Sequence, residues 1–162
     1  MKRTAPPPLP TGPGYLMYEE AAAYDRMQFV LLGVIIAATL VPAIILLFFD
    51  IDVAAAMFGV SLLDALIFHL VFPRRYQLFN TKLRIVLGWP IRWDIKLSTI
   101  KEAHPAPAIS IWIYGGVRLA TSSATAVEIV RRKGMGIIIS PSDRQTFLEQ
   151  LNAAVKLAQE RL

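Results

Sequence analysis

Forty-six residues, Met27 to Phe72, are almost uninterrupted in their apolar character and constrain the fold more than any other stretch of the chain. The run 29–49 holds twenty-one residues without a charge, and the run 53–72 holds twenty with one carboxylate and one histidine. A helix of about 20 apolar residues spans the hydrocarbon core of a bilayer and satisfies its own backbone hydrogen bonds there. Because only residues 50–52 separate the runs, we predict an antiparallel transmembrane hairpin over residues 27–72.

The basic residues nearest the spans indicate the orientation of this hairpin. Lys and Arg concentrate on the cytoplasmic side of membrane proteins, and residues 50–52 contain neither. Basic residues flank the hairpin on both other sides: Lys2, Arg3 and Arg26 before it, and Arg74 and Arg75 after it. We therefore expect a two-pass protein with both termini in the cytoplasm and residues 50–52 as the outer loop.

Residues 1–26 are expected to form a proline-rich cytoplasmic tail and an interfacial segment. Five of the eleven prolines lie in residues 1–14, which favours an extended or polyproline II conformation. Such a tail either lacks fixed structure or binds a partner. Residues 15–28 interleave tyrosines with charged residues, a composition that suits the headgroup level. We predict an interfacial helix or coil there.

Small residues recur at a spacing of four within both predicted spans. Gly33 and Ala37 lie in the first, and Ala55 and Gly59 in the second. Small residues at this spacing let transmembrane helices approach closely. The pairs are therefore candidate contacts, either between the two spans or with other transmembrane helices.

Asp64 lies near the middle of the second span, where a charge costs a few kcal/mol or more. It is either a neutral carboxyl bonded to Thr39 or to a backbone carbonyl, or a contact with another subunit, or an ion or proton relay. A relay normally needs several ionisable groups, and the first span has none. His69, close to Arg74, is interpreted as a hydrogen-bonded interfacial histidine, with a haem or pigment ligand as the alternative.

After Pro73 the apolar periodicity changes to short alternating runs typical of strands. About seven strands are predicted in a meander. Ser140, Pro141 and Asp143 then give the start signals of a closing helix over residues 141–162, with Ser140 as its cap.

The runs at 75–103 (RYQLFNTKLRIVLGWPIRWDIKLSTIKEA) and 127–151 (VEIVRRKGMGIIISPSDRQTFLEQL), placed after two spans, resemble bacterial membrane proteins that carry a pleckstrin-homology-like (PH-like) domain. The resemblance implies a cytoplasmic domain over residues 73–162, with about seven bent antiparallel strands closed by a C-terminal helix. It also implies a bacterial cytoplasmic (inner) membrane location and a role as adaptor, scaffold or assembly module. The stretch 104–116 departs from the family pattern because it is longer and more apolar. Its Ile109–Tyr114 run is either a buried strand or a loop in which Trp112 and Tyr114 contact the membrane or a partner.

The chain from Pro73 onward is basic, with fourteen Lys and Arg against six Asp and Glu. A basic domain tethered beside the cytoplasmic leaflet is attracted to anionic lipid. The expected contacts are Arg74, Arg75, Arg131, Arg132 and Lys133. No nucleic-acid partner is expected, because no recognition motif accompanies the charge.

Motifs for catalysis and metal binding are missing from the sequence. It has no cysteine, no phosphate-binding glycine loop, no GxSxG and no HExxH. We expect no enzyme activity, metal or cofactor. The preferred hypothesis is a non-catalytic accessory subunit of a larger membrane complex, by association a respiratory or photosynthetic one. The alternatives are a free-standing, homo-oligomeric lipid-binding or assembly protein, and a small ion or proton carrier that uses Asp64.

Overall fold

The computed structural model describes residues 14–107 and 115–160, in which two long helices are inserted between the first two strands of a β domain. The strands are β1 (Leu16–Ala21), β2 (Arg75–Phe79), β3 (Lys82–Val86), β4 (Arg92–Lys96), β5 (Ile100–Pro105), β6 (Val117–Arg118), β7 (Val127–Arg131) and β8 (Ile137–Ile139). The helices are α1 (Arg26–Leu46), α2 (Ile51–Val71) and α3 (Arg144–Glu160). The predicted class, two apolar helices followed by a mainly-β domain with a C-terminal helix, is confirmed.

Two predicted contact regions lie outside the described residues. They are the proline-rich tail up to residue 13 and the apolar run that contains Trp112 and Tyr114.

Helices α1 and α2 are each long and apolar enough to cross a membrane, and they pack against each other. The side chains buried within them are all small: Ala43, Ala54 and Ser61. Helix α2 begins earlier than the predicted residue 53 because Asp50 caps it. Its Oδ1 accepts from the backbone N–H groups of Asp52 and Val53, each at 3.1 Å, which satisfies donors that a helix start leaves unpaired.

The largest difference from the sequence prediction is β1. Residues Leu16–Ala21 were expected to be an interfacial helix or coil, and that prediction is wrong. They form a strand paired antiparallel with β2, although fifty-three residues of the helical hairpin and its flanks separate the two strands in sequence. Glu19 joins the strands through its side chain, accepting from Arg75 Nη1 at 2.8 Å and Gln77 Nε2 at 3.1 Å. The domain therefore takes chain from both sides of the hairpin.

The eight described strands form two four-stranded sheets. The first has the order β1-β2-β3-β4, and the second has the order β5-β7-β8-β6. The expected simple meander fails in the second sheet, where β6 pairs parallel with β8. Alternation puts one side of each strand into a common core, as Tyr76 and Leu78 show in β2.

Helix α3 covers this core with one apolar face. Phe147, Leu151, Ala154 and Val155 are buried there at helical spacing. The predicted start of the helix at Pro141 is wrong. Asp143 caps it instead: its Oδ1 accepts from the backbone N–H groups of residues 145 and 146 at 3.1 Å. Its carboxylate is stabilised chiefly by the Thr146 hydroxyl, which lowers the pKa of Asp143.

Candidate functional site

Asp64 is half-buried on α2 and has no hydrogen-bond or ion-pair partner within the described ranges 14–107 and 115–160. The Thr39 hydroxyl, its proposed partner on α1, instead donates to the Ile36 carbonyl at 3.0 Å. The predicted internal bond between these helices is therefore not formed. The carboxyl is left without a donor from this part of the chain.

The four small residues predicted to mediate helix contacts are exposed on the hairpin. Gly33 and Ala37 on α1, and Ala55 and Gly59 on α2, all have exposed surfaces. A Cβ added at Gly33 or Gly59 would meet nothing within 4 Å. They therefore do not mediate the packing of α1 on α2, and the interpretation that remains is contact with other helices.

The chain between β1 and α1, residues 22–25, forms a strap that ties the hairpin to the β domain. Ala22 N–H donates to the Arg74 carbonyl at 3.0 Å, and Ala23 N–H donates to the Ser140 carbonyl at 2.7 Å. The Tyr24 hydroxyl donates to the Pro73 carbonyl, and burial raises the pKa of Tyr24. Both ends of the hairpin are thus fixed to the same domain.

Asp25 ends the strap and binds the loop between β6 and β7. Its carboxylate accepts from the Ser122 hydroxyl at 2.7 Å, and from Ser123 through its N–H at 2.8 Å and its hydroxyl at 3.2 Å. These bonds, led by the Ser122 hydroxyl, lower the pKa of Asp25. Asp25 also holds the N-cap position of α1, so this contact aligns the first helix with the domain.

Replacing Asp25 with alanine is expected to lower the free energy of unfolding by about 1 kcal/mol at neutral pH, because hydrogen bonds to a charged group are lost at a partly exposed site. The folded-state pKa lies below the ordinary value of 3.8. The contribution of the Asp25 carboxylate to the free energy of unfolding is therefore present above pH 4 and disappears as the pH falls through the lowered pKa. Urea unfolding of both proteins between pH 7 and pH 3 measures this. A difference between wild type and variant that grows towards pH 3 would contradict the assignment.

His69, near the end of α2, contacts the domain on two sides. Its Nδ1 lies 2.8 Å from Arg74 Nη2. Arginine can only donate, so Nδ1 is the acceptor and Nε2 carries the proton. That tautomer disfavours haem or pigment ligation through Nε2. On the other side Gly88 lies so close that an added Cβ would be 1.7 Å from the His69 carbonyl oxygen. The turn of residues 87–91 between β3 and β4 therefore lies against the last turns of α2.

Beside this turn an open cavity of about 300 Å³ is lined by four arginines and one tryptophan: Arg74, Arg75, Arg84, Arg92 and Trp89. Arg74 and Arg75 are contacts predicted from the sequence, whereas Arg84, Arg92 and Trp89 are not. Arg75, Arg84 and Arg92 lie on β2, β3 and β4, Arg74 immediately precedes β2, and Trp89 lies in the turn, so only the sheet brings them together. The sequence Gly88-Trp89-Pro90 on its own indicates only a hairpin turn.

Two of the four arginines are already neutralised. Arg75 pairs with Glu19 at 2.8 Å. Arg84 binds Asp94 with Nε to Oδ1 at 2.7 Å and Nη2 to Oδ2 at 3.1 Å. Arg84, followed by Lys82, lowers the pKa of Asp94 to about 2. The Arg74 guanidinium donates to His69 Nδ1. The side chains of Arg74 and Arg92 form no ion pair within the described part of the chain.

The other predicted basic contacts lie elsewhere. Arg131 ends β7, and Arg132 and Lys133 follow it in the turn to β8, on the second sheet. Within residues 14–107 and 115–160, no three His, Asp or Glu side chains come together as a metal site would require.

Comparison with protein families decides the classification of the β domain. The bacterial PH domain model matches residues 74–155, which is half of the chain. The chain belongs to the bacterial PH domain family. No curated protein matches it. The matched range starts just after α2, so β1 lies outside it even though β1 forms one edge of the PH domain's first sheet.

Proposed function

We propose that this protein is a non-catalytic, membrane-anchored subunit. Its hairpin packs laterally against helices of a larger membrane complex and holds a basic PH domain at the cytoplasmic face. The observation that carries the proposal is Asp64, a carboxyl inside a span that finds no donor in the described part of its own chain. A lone carboxyl is costly in hydrocarbon unless a neighbouring protein group forms a hydrogen bond or an ion pair with it. A polar group on another helix supplies that partner.

The exposed small residues support the same proposal. Gly33 and Gly59 leave open space on α1 and α2, and a partner helix can approach closely where side chains are small. The hairpin thereby offers two kinds of lateral contact, a polar one at Asp64 and close-packed ones at the small pairs.

The strap explains why such a subunit would carry a PH domain. Residues 22–25 lie at one end of the hairpin and Arg74 at the other, and both are hydrogen-bonded to the domain. A protein bound to the helices and a protein bound to the cytoplasmic face are therefore held at a fixed distance and orientation. A respiratory or photosynthetic complex is one candidate host. An ion carrier is less well supported, because α1 contributes no ionisable group near Asp64.

Extraction in a mild detergent, followed by native gel electrophoresis and mass spectrometry, tests the proposal. The wild-type chain is expected in an assembly larger than itself with other membrane proteins. Asp64→Leu should reduce the recovered assembly by about tenfold, the effect of one lost interhelical bond of 1–2 kcal/mol. Asp64→Asn, which keeps a hydrogen-bonding group, should retain most of it.

The matched control is Asp52→Leu, which removes the same charge from the exposed first turn of α2. It should leave the assembly unchanged. Recovery of the wild type only as a monomer would contradict the proposal. Recovery only as a homo-oligomer would replace it with the free-standing alternative.

A further inference from the structure

Each sheet of the PH domain ends in two edge strands, which are β1 and β4 in the first sheet and β5 and β6 in the second. An edge strand presents unpaired backbone groups to which another strand can add. Helix α3 closes the β5 edge with side-chain amides. Asn152 accepts from the Ala103 N–H at 3.3 Å and donates to the Ala103 carbonyl at 3.1 Å. Gln159 donates to the Ile100 carbonyl at 3.2 Å, so this edge is not available to a further strand.

Two other edges offer little regular backbone. Strand β6 has only two residues. At the end of β1 the Ala21 carbonyl already accepts from the Ser142 N–H at 3.0 Å, and an irregularity between Leu16 and Tyr18 interrupts the rest of that strand. Strand β4 differs from all three. Its five residues pair with β3 in unbroken register, and its other side has no neighbour among the strands of the described chain.

The backbone of β4 alternates between groups bonded to β3 and groups that face outward. The Leu97 N–H, just past the end of β4, donates to the Thr81 carbonyl at 3.0 Å, which places the bonds to β3 at odd-numbered positions. The N–H and carbonyl groups of Arg92 and Asp94, and the N–H of Lys96, therefore face outward. Within residues 14–107 and 115–160 these groups have no hydrogen-bond partner. They form a template for one short strand.

The side chains on the outer face of this edge define the charge of the strand that it accepts. Arg92 and Lys96 are exposed and form no ion pair in the described part of the chain. Asp94, between them, is neutralised by Arg84 and Lys82. Opposite charges across a strand pair stabilise it, whereas like charges directly opposite destabilise it. A second β4 paired about Asp94 would place Arg92 opposite Lys96, so the edge disfavours its own copy and favours an acidic strand.

The inner face of an added strand meets apolar side chains. Trp93 is half-buried and packs against the core. Ile91, two positions before it and on the same face, has 41% of its surface exposed. The edge thus selects a strand with apolar residues at alternate positions. Of the positions between them, those opposite Arg92 and Lys96 are acidic, and they are four residues apart.

We propose that the outer edge of β4 binds an extended acidic segment of another protein, which adds a fifth strand to the first sheet. Its acidic side chains lie opposite Arg92 and Lys96, and its apolar side chains cover Trp93. Its backbone pairs with the outward groups of Arg92 and Asp94. The inference rests on the proposed function for the source of the segment, a neighbouring subunit of the complex, and names the kind of contact that the PH domain makes there.

Binding of a synthetic strand to the full chain, purified alone in a neutral detergent, tests the edge directly. The probe is the fluorescently labelled peptide TEVTVET, and its anisotropy gives an apparent Kd. Two matched probes are TKVTVKT, with the opposite charge, and TEVPVET, whose proline lacks the central backbone donor. Both should bind at least tenfold more weakly than TEVTVET. Equal binding of TKVTVKT would overturn the charge assignment, and equal binding of TEVPVET would overturn strand addition.

Two substitutions at one position separate the backbone from the side chain. Asp94→Ala and Asp94→Pro both remove the carboxylate, but only proline removes the outward N–H. Proline is tolerated on an edge strand where the N–H faces away from the ladder. Asp94→Ala should bind TEVTVET at least as tightly as the wild type, and Asp94→Pro about tenfold more weakly. Equal affinity of two folded variants would refute pairing at this edge.

A pair of double variants with equal charge decides the question even if the proline variant does not fold. Arg92→Gln with Lys96→Gln should weaken TEVTVET binding about fivefold. Arg132→Gln with Lys133→Gln, on the second sheet, should leave it within about twofold. Equal weakening by both would show an effect of general surface charge and refute the site. Hydrogen exchange gives a second readout, because the peptide should slow exchange in residues 92–96.

Failure of this inference and failure of the proposed function give different results. A larger assembly on the native gel without TEVTVET binding to the purified chain would refute only the β4 edge. TEVTVET binding without any larger assembly would support the edge and count against the proposed function. A homo-oligomer that survives Asp94→Ala and is lost in Asp94→Pro would assign the edge to a second copy and overturn the acidic partner.

Discussion

Gly88→Ala is expected to destabilise the protein by about 3 kcal/mol, at the upper end of the usual cost of overpacking. The added Cβ would lie 1.7 Å from the oxygen and 2.5 Å from the carbon of the His69 carbonyl. These are backbone atoms of α2, so no side-chain rotation relieves the clash. The turn of residues 87–91 must move away from the helix, and the hairpin loses one of its contacts with the PH domain.

Thermal unfolding of the purified chain and hydrogen exchange of the turn measure this effect. Exchange should increase at Leu87 and Ile91, whose N–H groups close the turn at 3.1 Å and 2.7 Å. The matched control is Gly59→Ala, where a new Cβ meets nothing within 4 Å. It should leave stability unchanged or raise it slightly, since alanine favours a helix interior by up to about 1 kcal/mol over glycine. Equal stability of the two variants would show that the turn does not pack on α2.

Most elements of this fold could be predicted because their signals are local. Long apolar runs predict α1 and α2, alternation predicts β2, β3 and β4, and the apolar spacing of Phe147 and Leu151 predicts α3. The predictions of the helix ends were less accurate, because residues that can each cap a helix lie close together in the sequence. Asp143 rather than Ser140 caps α3, and Ser140 instead donates its N–H to the Tyr76 hydroxyl at 3.2 Å. Burial raises the pKa of Tyr76 to about 12.

Strand β1 was missed for a physical reason. An irregularity in its pairing with β2 between Leu16 and Tyr18 interrupts the period-2 alternation. The charge of Glu19 is typical of a solvated interfacial segment. In the structure Glu19 lies on an edge strand and forms an ion pair with Arg75 on the neighbouring strand. Nothing within residues 15–28 shows that their partner follows a helical hairpin.

The candidate sites divide in the same way. Asp64 is evident from the sequence because a carboxylate inside an apolar run is costly wherever it lies. The arginine cavity is not evident, because Arg74, Arg84 and Arg92 become neighbours only through the register that pairs Arg75 with Val86 and Val86 with Arg92. Long-range pairing creates that site, and local patterns do not encode it.

Phe147 is the second position where a large effect is expected, because its ring packs against residues far away in the sequence. Phe147→Ala should lower the free energy of unfolding by about 3 to 5 kcal/mol, the usual cost of removing a buried phenylalanine. Its ring is completely buried, with its centroid 5.8 Å from that of Tyr76 and 6.4 Å from that of Tyr18. Tyr18 lies on β1, ahead of the hairpin, so this one side chain joins the C-terminal helix to the N-terminal strand.

Urea unfolding combined with hydrogen exchange tests that connection. Exchange in β1 should rise more than exchange in the β7–β8 pair, because β1 is an edge strand that loses one of its few core contacts. Leu157→Ala is the control, since Leu157 lies on the same helix with 48% of its surface exposed and should cost about 0.5 kcal/mol or less. If β1 keeps its protection in Phe147→Ala, the strand is held by β2 alone. The N-terminal segment would then be joined to the rest of the domain through the hydrogen bonds of Ser140 and Asp25, and these bonds would position the hairpin.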